Sequence, residues 1–354
     1  MSTQDFAFVS GTVLAILIAL PVFREQSWRI VETWIGRIQN AFLSPEQSKE
    51  YGPVVSALYI YPVKSLRRVS LSIANVDKLG LVGDRRFMLV VPAPPPAYGC
   101  LPTDPTYNFI TQRQCPILAT ISAEIEGDCL KLWCGTESVQ VSIPSRLDIA
   151  TLVFKARIWS DVVTVRDLGD EAAAFVQNII GTDDVGKGIR LVTMAGTRPT
   201  DDKYLPPAAR TLTGGTPLTA LNDGFPVLVA CEASLAEVNR RLTAKGKDEI
   251  PMSRFRPNIV IKGSQPFEED TWKLIQIGDT ILHLVKECPR CKQSCTDQET
   301  GKVSDEPVAT LGEFRALGKV PGDVYFAQNA VIYGKSVSVG TPVKVMKRGD
   351  PVWE

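Results

Sequence analysis

Residues 288–295 read CPRCKQSC, which sets three cysteines within eight positions. Thiols at that spacing support three chemistries. A C-x-x-C pair is half of a structural zinc site, which needs four ligands and normally draws on a second such pair. This chain has no second C-x-x-C, and its one histidine, His283, sits between Leu282 and Leu284 in a stretch that reads as strand. The same spacing serves thioredoxin-type dithiols, in which a helix N-terminus lowers one thiol pKa. Here the pair follows a β-rich run and precedes the turn-prone SCTDQETGKVSDE, so that helix is missing from the pattern. The third chemistry is a single thiolate on a large soft metal centre, such as molybdenum, whose other ligands come from a cofactor. The residues favour this third reading without excluding the other two.

Other catalytic patterns fail on inspection. GTDDVGKG at 181–188 has both glycines and the lysine of a phosphate-binding loop, but Gly188 replaces the hydroxyl that would hold Mg²⁺ and the segment follows a helix rather than a strand. No G-x-G-x-x-G joins a strand to a helix, so a dinucleotide fingerprint is missing and any redox chemistry draws electrons from another protein. No G-x-S-x-G exists for serine hydrolysis. Acidic and basic residues balance at 39 each, which argues against a nucleic-acid partner. Eight irregularly spaced cysteines in 354 residues argue for a reducing compartment rather than a disulfide framework.

These residues must be positioned by mostly β structure. From Val54 the chain reads as short apolar and β-branched runs separated by turns, which predicts an antiparallel sheet or barrel unit up to about residue 165. VPAPPPAYGCLPTDPTYN is a proline-rich surface excursion of it. DLGDEAAAFVQNII at 167–180, with Ala172, Phe175, Val176, Ile179 and Ile180 on one face and Gly181 at its end, predicts a helix. A second helix is expected over Ala233–Ala244, followed by the strand-like PNIVIKG, KLIQIGDTILHLVKE, VYFAQNAVIYG and TPVKVMK.

The first fifty residues differ in kind. Phe6 to Phe23 is an uncharged run of eighteen residues, just long enough to cross about 30 Å of hydrocarbon. The flank before it has no Lys or Arg, unlike a signal peptide, whereas Arg24, Arg29 and Arg37 follow it. The pattern predicts an uncleaved transmembrane helix with the body in the cytosol. Ser27 to Phe42 carries Trp28, Ile30, Trp34, Ile35, Ile38 and Phe42 near helical spacing, an amphipathic stretch along the membrane surface.

Seven stretches in order resemble the MOSC family: LYIYPVKSL (58–66), GLVGDRRFMLV (80–90), FITQRQCPILATI (109–121), FPVLVACEASLAEVNRRL (225–242), RFRPNIVIKG (254–263), WKLIQIGD (272–279) and CPRCKQSCTDQETG (288–301). The resemblance implies an N-terminal β-barrel-like MOSC domain (51–190), a β-barrel MOSC domain (191–354) and, ahead of them, the anchor (1–50): mostly β with packed helices, an α+β class. It implies molybdenum cofactor (Mo-molybdopterin) as prosthetic group. Cys291 is then the molybdenum ligand and catalytic residue, with Cys288 a neighbour. Lys64, Ser65, Arg85, Arg256 and Asn258 are then contacts to the anionic pterin, and Thr111, Arg113 and Asp223 match pocket segments more loosely. Phe225 stands where a small polar residue is expected, and Cys295 where an unreactive one is. With the anchor included, the resemblance is to the amidoxime-reducing branch of the family. It implies reduction of N-hydroxylated compounds such as amidoximes and hydroxylamines, with electrons from cytochrome b5 and NADH-cytochrome b5 reductase, at the cytosolic face of the mitochondrial outer membrane. The alternative is a non-catalytic cofactor-handling or sulfur-transfer module, because MOSC domains also end the molybdenum cofactor sulfurase.

Overall fold

Alternating β-branched residues make strands here, but which strands pair is decided over long sequence distances. The computed structural model describes residues 52–94, 105–144, 152–181, 186–318 and 320–353. The expected anchor and juxtamembrane helix (1–50), and much of the proline loop and of GTDDVGKG, lie outside the described residues. Among the described residues no helix is long and apolar enough to cross a membrane.

In chain order the strands that frame the site are β1 (Val54–Ile60), β2 (Val69–Leu71), β3 (Phe87–Pro92), β4 (Tyr107–Phe109), β5 (Val153–Ile158), β6 (Asp161–Asp167), β7 (Arg190–Met194), β8 (Val227–Cys231), β9 (Ile259–Lys262), β10 (Trp272–Ile277), β11 (Thr280–Arg290), β12 (Val324–Tyr333) and β13 (Val343–Arg348). The longer helices are α1 (Asp170–Ile180) and α2 (Glu232–Ala244). β5, β6, β7, β3 and β4 close into a barrel. Eight strands form the other large sheet, in the order β2-β1-β9-β8-β12-β11-β10-β13. That sheet rolls: an antiparallel bridge between Val54 and Pro342 sets its first long strand beside the entry to its last.

Two features differ from the sequence reading. β1 does not join the barrel. It pairs with β9 in the eight-stranded sheet, Val55 opposite Ile261 and Leu58 opposite Ile259. Its inward residues Val55 and Leu58 are buried there with Ile259, Ile275 and Leu282. The barrel instead runs on past residue 165 to β7 and includes one parallel pair, β4 with β5. Local alternation marks a strand's faces without naming its partner.

The expected helices form. α1 starts at Asp170 rather than 167, because Asp167 is spent as the last residue of β6, paired with Val192. Ala172, Phe175 and Val176 are its buried face. α2 buries Val238 and Leu242 completely, each stabilising by roughly 1.5–3 kcal/mol. It packs on β8 and β9, and the same apolar layer reaches one face of β12, where Phe326 stacks on Phe255 at 3.7 Å, while Ala330 and Ile332 enter the core on the other face. A strand covered on both sides reads as a continuous apolar run. β12 leads back beside β11, whose C-terminal end carries the cysteines.

Candidate functional site

The loops after β1, before β3, before β9 and after β11 converge on a cavity of about 120 Å³ lined by Lys64, Ser65, Arg85, Asp223, Arg256, Asn258 and Cys291. These are seven of the residues singled out from the sequence. Cys288, Arg290 and Phe225 line it as well.

Three of the lining residues hold left-handed backbone, Ser65 at φ +68, Arg85 at +45 and Arg256 at +56. Non-glycine residues persist there only where the surroundings over-determine them. For Ser65 and Arg256 the surroundings are a buried amide chain. Gln112 donates to the Ser65 carbonyl at 2.8 Å, Gln298 donates to Gln112 at 2.8 Å, and Arg256 donates to Gln298 at 2.8 Å. Arg85 is gripped by both carboxylate oxygens of Asp84, at 2.9 and 2.7 Å. The guanidinium groups of Arg85 and Arg256 lie over the ring of Tyr61, at 4.4 and 4.2 Å, in cation–π contact. Burial raises the Tyr61 hydroxyl to about 12, so it stays neutral and donates to the Pro257 carbonyl at 3.2 Å. Asn258 is a rivet. Its Oδ1 accepts from Leu228 N at 3.1 Å and Arg85 at 3.0 Å, and its Nδ2 donates to the Tyr59 carbonyl at 3.1 Å.

The cavity is short of negative charge. Burial pulls the Lys64 ammonium below its ordinary value, with Asp223 offsetting only part of the loss, and pulls Arg256 down to about 10. Cations pushed toward neutrality by desolvation are stabilised by an incoming anion. Among the described residues Asp223 is the one carboxylate on the wall. Its Oδ1 accepts from Lys64 at 2.5 Å and from the Trp159 indole at 2.9 Å. Desolvation would raise this carboxyl, but Lys64 and the indole N–H outweigh it and hold it well below the usual carboxylate range.

The three cysteines are not equivalent. Cys291 is exposed, in extended backbone (φ −119) just beyond β11, and caps the short 3-10 turn Lys292–Cys295. Cys288 is half-buried, and its sulfur accepts from Arg290 at 3.0 Å. Cys295, the last residue of that turn, is buried, and burial raises its thiol. Among the described residues no three His, Cys, Asp or Glu side chains gather as a metal-binding group.

Two expected residues lie elsewhere. Thr111 is buried outside the cavity, donating to Gln114 at 2.6 Å and accepting from Arg113 at 3.2 Å. Arg113 lines the wider cleft of about 870 Å³ into which Cys291 also opens. Phe225, the misfit of the sequence reading, is buried against Leu205, Val285 and Val331. His283 is a buried strand residue against Tyr333, its pKa lowered by burial. The sequence reading missed Tyr61, Asp84, Gln112 and Gln298. All four sit inside stretches it had quoted, and buried glutamines within such a stretch were the available signal.

The donor set suits an anionic sulfur-rich cofactor: three cations and a serine in a half-dry cradle, and one solvent-facing thiol at its mouth. A family model described as "MOSC domain" matches residues 217–344, and one described as "MOSC N-terminal beta barrel domain" matches residues 52–183. This is a MOSC-domain protein. Mitochondrial amidoxime reducing component 2 of Bos taurus is 31% identical over 306 residues, covering 85% of this chain and 82% of that protein. Mitochondrial amidoxime-reducing component 1 of Homo sapiens is 31% identical over 303 residues, covering 84% and 82%. The chain belongs to the family of mitochondrial amidoxime reducing components.

Proposed function

We propose that this chain is a molybdenum cofactor-dependent reductase of N-hydroxylated compounds, amidoximes and hydroxylamines among them. The observation that carries the reading is the juxtaposition of the Lys64, Arg85 and Arg256 cradle with the exposed thiol of Cys291 in one cavity. The relatives' names, which say amidoxime reducing, supply the substrate class. Lys64, Ser65, Arg85 and Arg256 would hold the phosphate and pterin of the cofactor, and Cys291 would ligate its molybdenum. The bound cofactor supplies two-electron chemistry at an N–O bond: R–NH–OH with two electrons and two protons becomes R–NH₂ and water. Asp223 accepts from Lys64 and would act as its fixed partner rather than as a proton donor, with protons entering from water in the outer cleft. Asn258 and the Gln112–Gln298 chain hold the arginine and serine in place.

Cytochrome b5 and its NADH-dependent reductase are the proposed electron source. Tethering at the mitochondrial outer membrane through residues 1–50 would raise their effective concentration. The test is elemental analysis for molybdenum together with amidoxime reduction in a reconstituted cytochrome b5 chain, comparing Cys291→Ala with Cys288→Ala. Loss of metal and turnover in the first variant alone is expected. Metal retained in the wild type with no turnover would favour a cofactor-handling module. Full function in Cys291→Ala with loss in Cys288→Ala would overturn the ligand assignment.

A further inference from the structure

Beyond the inner cavity, one wall of the 870 Å³ cleft comes from the barrel. β5 and β6 join through the two-residue turn Trp159–Ser160, with Ile158 paired to Asp161. Trp159 holds φ +53 there, which disfavours a bulky side chain, and it is 44% exposed. Three contacts fix its ring: the N–H to Asp223 at 2.9 Å, the Phe109 ring at 5.2 Å and the Arg113 guanidinium at 4.1 Å. A strained, exposed and braced tryptophan is a preformed flat surface for another planar group.

Arg113 is the second half of the feature. Its Nε donates to Thr111 Oγ1 at 3.2 Å, and among the described residues its two terminal nitrogens meet no acceptor. Among the described residues four carboxylates line the cleft, and all but Asp323 are already engaged. Asp161 takes Arg198 at 2.6 Å, Asp223 takes Lys64 at 2.5 Å, and Asp201 accepts from the Lys203 backbone N–H at 3.0 Å. A guanidinium with a free fork beside an exposed indole has the chemistry to take a carboxylate on a planar body.

We propose that Trp159 and Arg113 form a recognition subsite for planar organic anions, aryl carboxylates in the simplest case. The carboxylate takes the free fork of Arg113 and the ring lies against the exposed indole. Cys291 lines the same cleft, so the far end of a molecule docked in this way faces the thiol. If the reductase reading is right, and the substrate class rests on it, the favoured substrates are N-hydroxylated compounds whose planar body carries a carboxylate. The anion subsite itself does not depend on that reading.

The test is calorimetric titration of the full-length chain, with whatever cofactor it purifies with, using benzoate and the neutral benzamide as probes. Arg113→Gln is expected to weaken benzoate about tenfold and leave benzamide unchanged, and Trp159→Leu to weaken both several-fold. If Arg113→Gln does not fold, as judged by circular dichroism, Arg113→Lys keeps the charge without the fork and reads the same contrast. A wild type with no benzoate binding at tens of millimolar overturns the proposal, as does equal benzoate affinity in wild type and the Arg113 variant. Failure of amidoxime reduction would sink the proposed function and leave these affinities untouched.

Discussion

Asn258→Ala should destabilise the protein by about 3 kcal/mol, and the figure can be built from the three bonds it breaks. Asn258 is 1% exposed, so water cannot replace its amide. The Leu228 N–H and the Tyr59 carbonyl lose their bonds to it, and a buried group left unpaired costs about 1–3 kcal/mol. Arg85 also loses a charge-assisted bond, although Asp84 still grips it. Partial relaxation brings the total down to about 3 kcal/mol. Urea unfolding reads this directly. With a slope of about 3 kcal/mol/M for a chain of this size, the midpoint should fall by about 1 M at unchanged slope. Because Arg85 lines the cavity, molybdenum content should fall in the same variant. A midpoint within about 0.2 M of wild type would refute the idea that this amide ties β1, Arg85 and the start of β8 together.

Two further outcomes are expected. Glu269 is fully buried between Ser234 and Asp270, and burial raises its carboxyl to about 7. A raised folded pKa means stability present below the unfolded value of 4.5 and lost as pH climbs through about 7. Wild type should therefore lose up to about 3 kcal/mol relative to Glu269→Gln between pH 5 and 8, measured by denaturant unfolding at each pH. An unchanged difference across that range would count against it. Alkylation of the folded, cofactor-free protein with iodoacetamide, followed by mass spectrometry, should mark Cys291 ahead of Cys288, and Cys231 and Cys295 only after unfolding. Labelling of Cys295 as fast as Cys291 would contradict the burial described.

Much of the cavity lining was legible only through the resemblance to the MOSC family, which picked out the lysine in YPVKS and the arginine in FRPN. Taken alone, each would read as a solvated surface charge. What stayed hidden were groups whose role is to hold others. Tyr61 reads as one more aromatic in a strand, and Gln298 as a polar loop residue. Only the fold shows the first under two guanidinium groups and the second buried between Gln112 and Arg256. Arg113 and Thr111 show the converse limit: a loose match to a pocket segment did not place them in the inner cavity. On the scale of the fold, α1 and α2 followed from periodicity within a dozen residues. The partner of β1 lies about two hundred residues away, and no local pattern encodes that distance.

That distance has a consequence for how the molecule comes to exist. β1 leaves the ribosome long before β9, so during synthesis it waits with an unpaired edge while the barrel strands that follow can already close. The large sheet is completed only when late-made chain returns to the earliest strand, which makes its assembly a slow, long-range event and its waiting edge a target for chaperones or for aggregation. It also means that the later half, expressed alone, would lack two strands of its sheet, β1 and β2, as well as Lys64. The two matched stretches are separable as text and inseparable as matter.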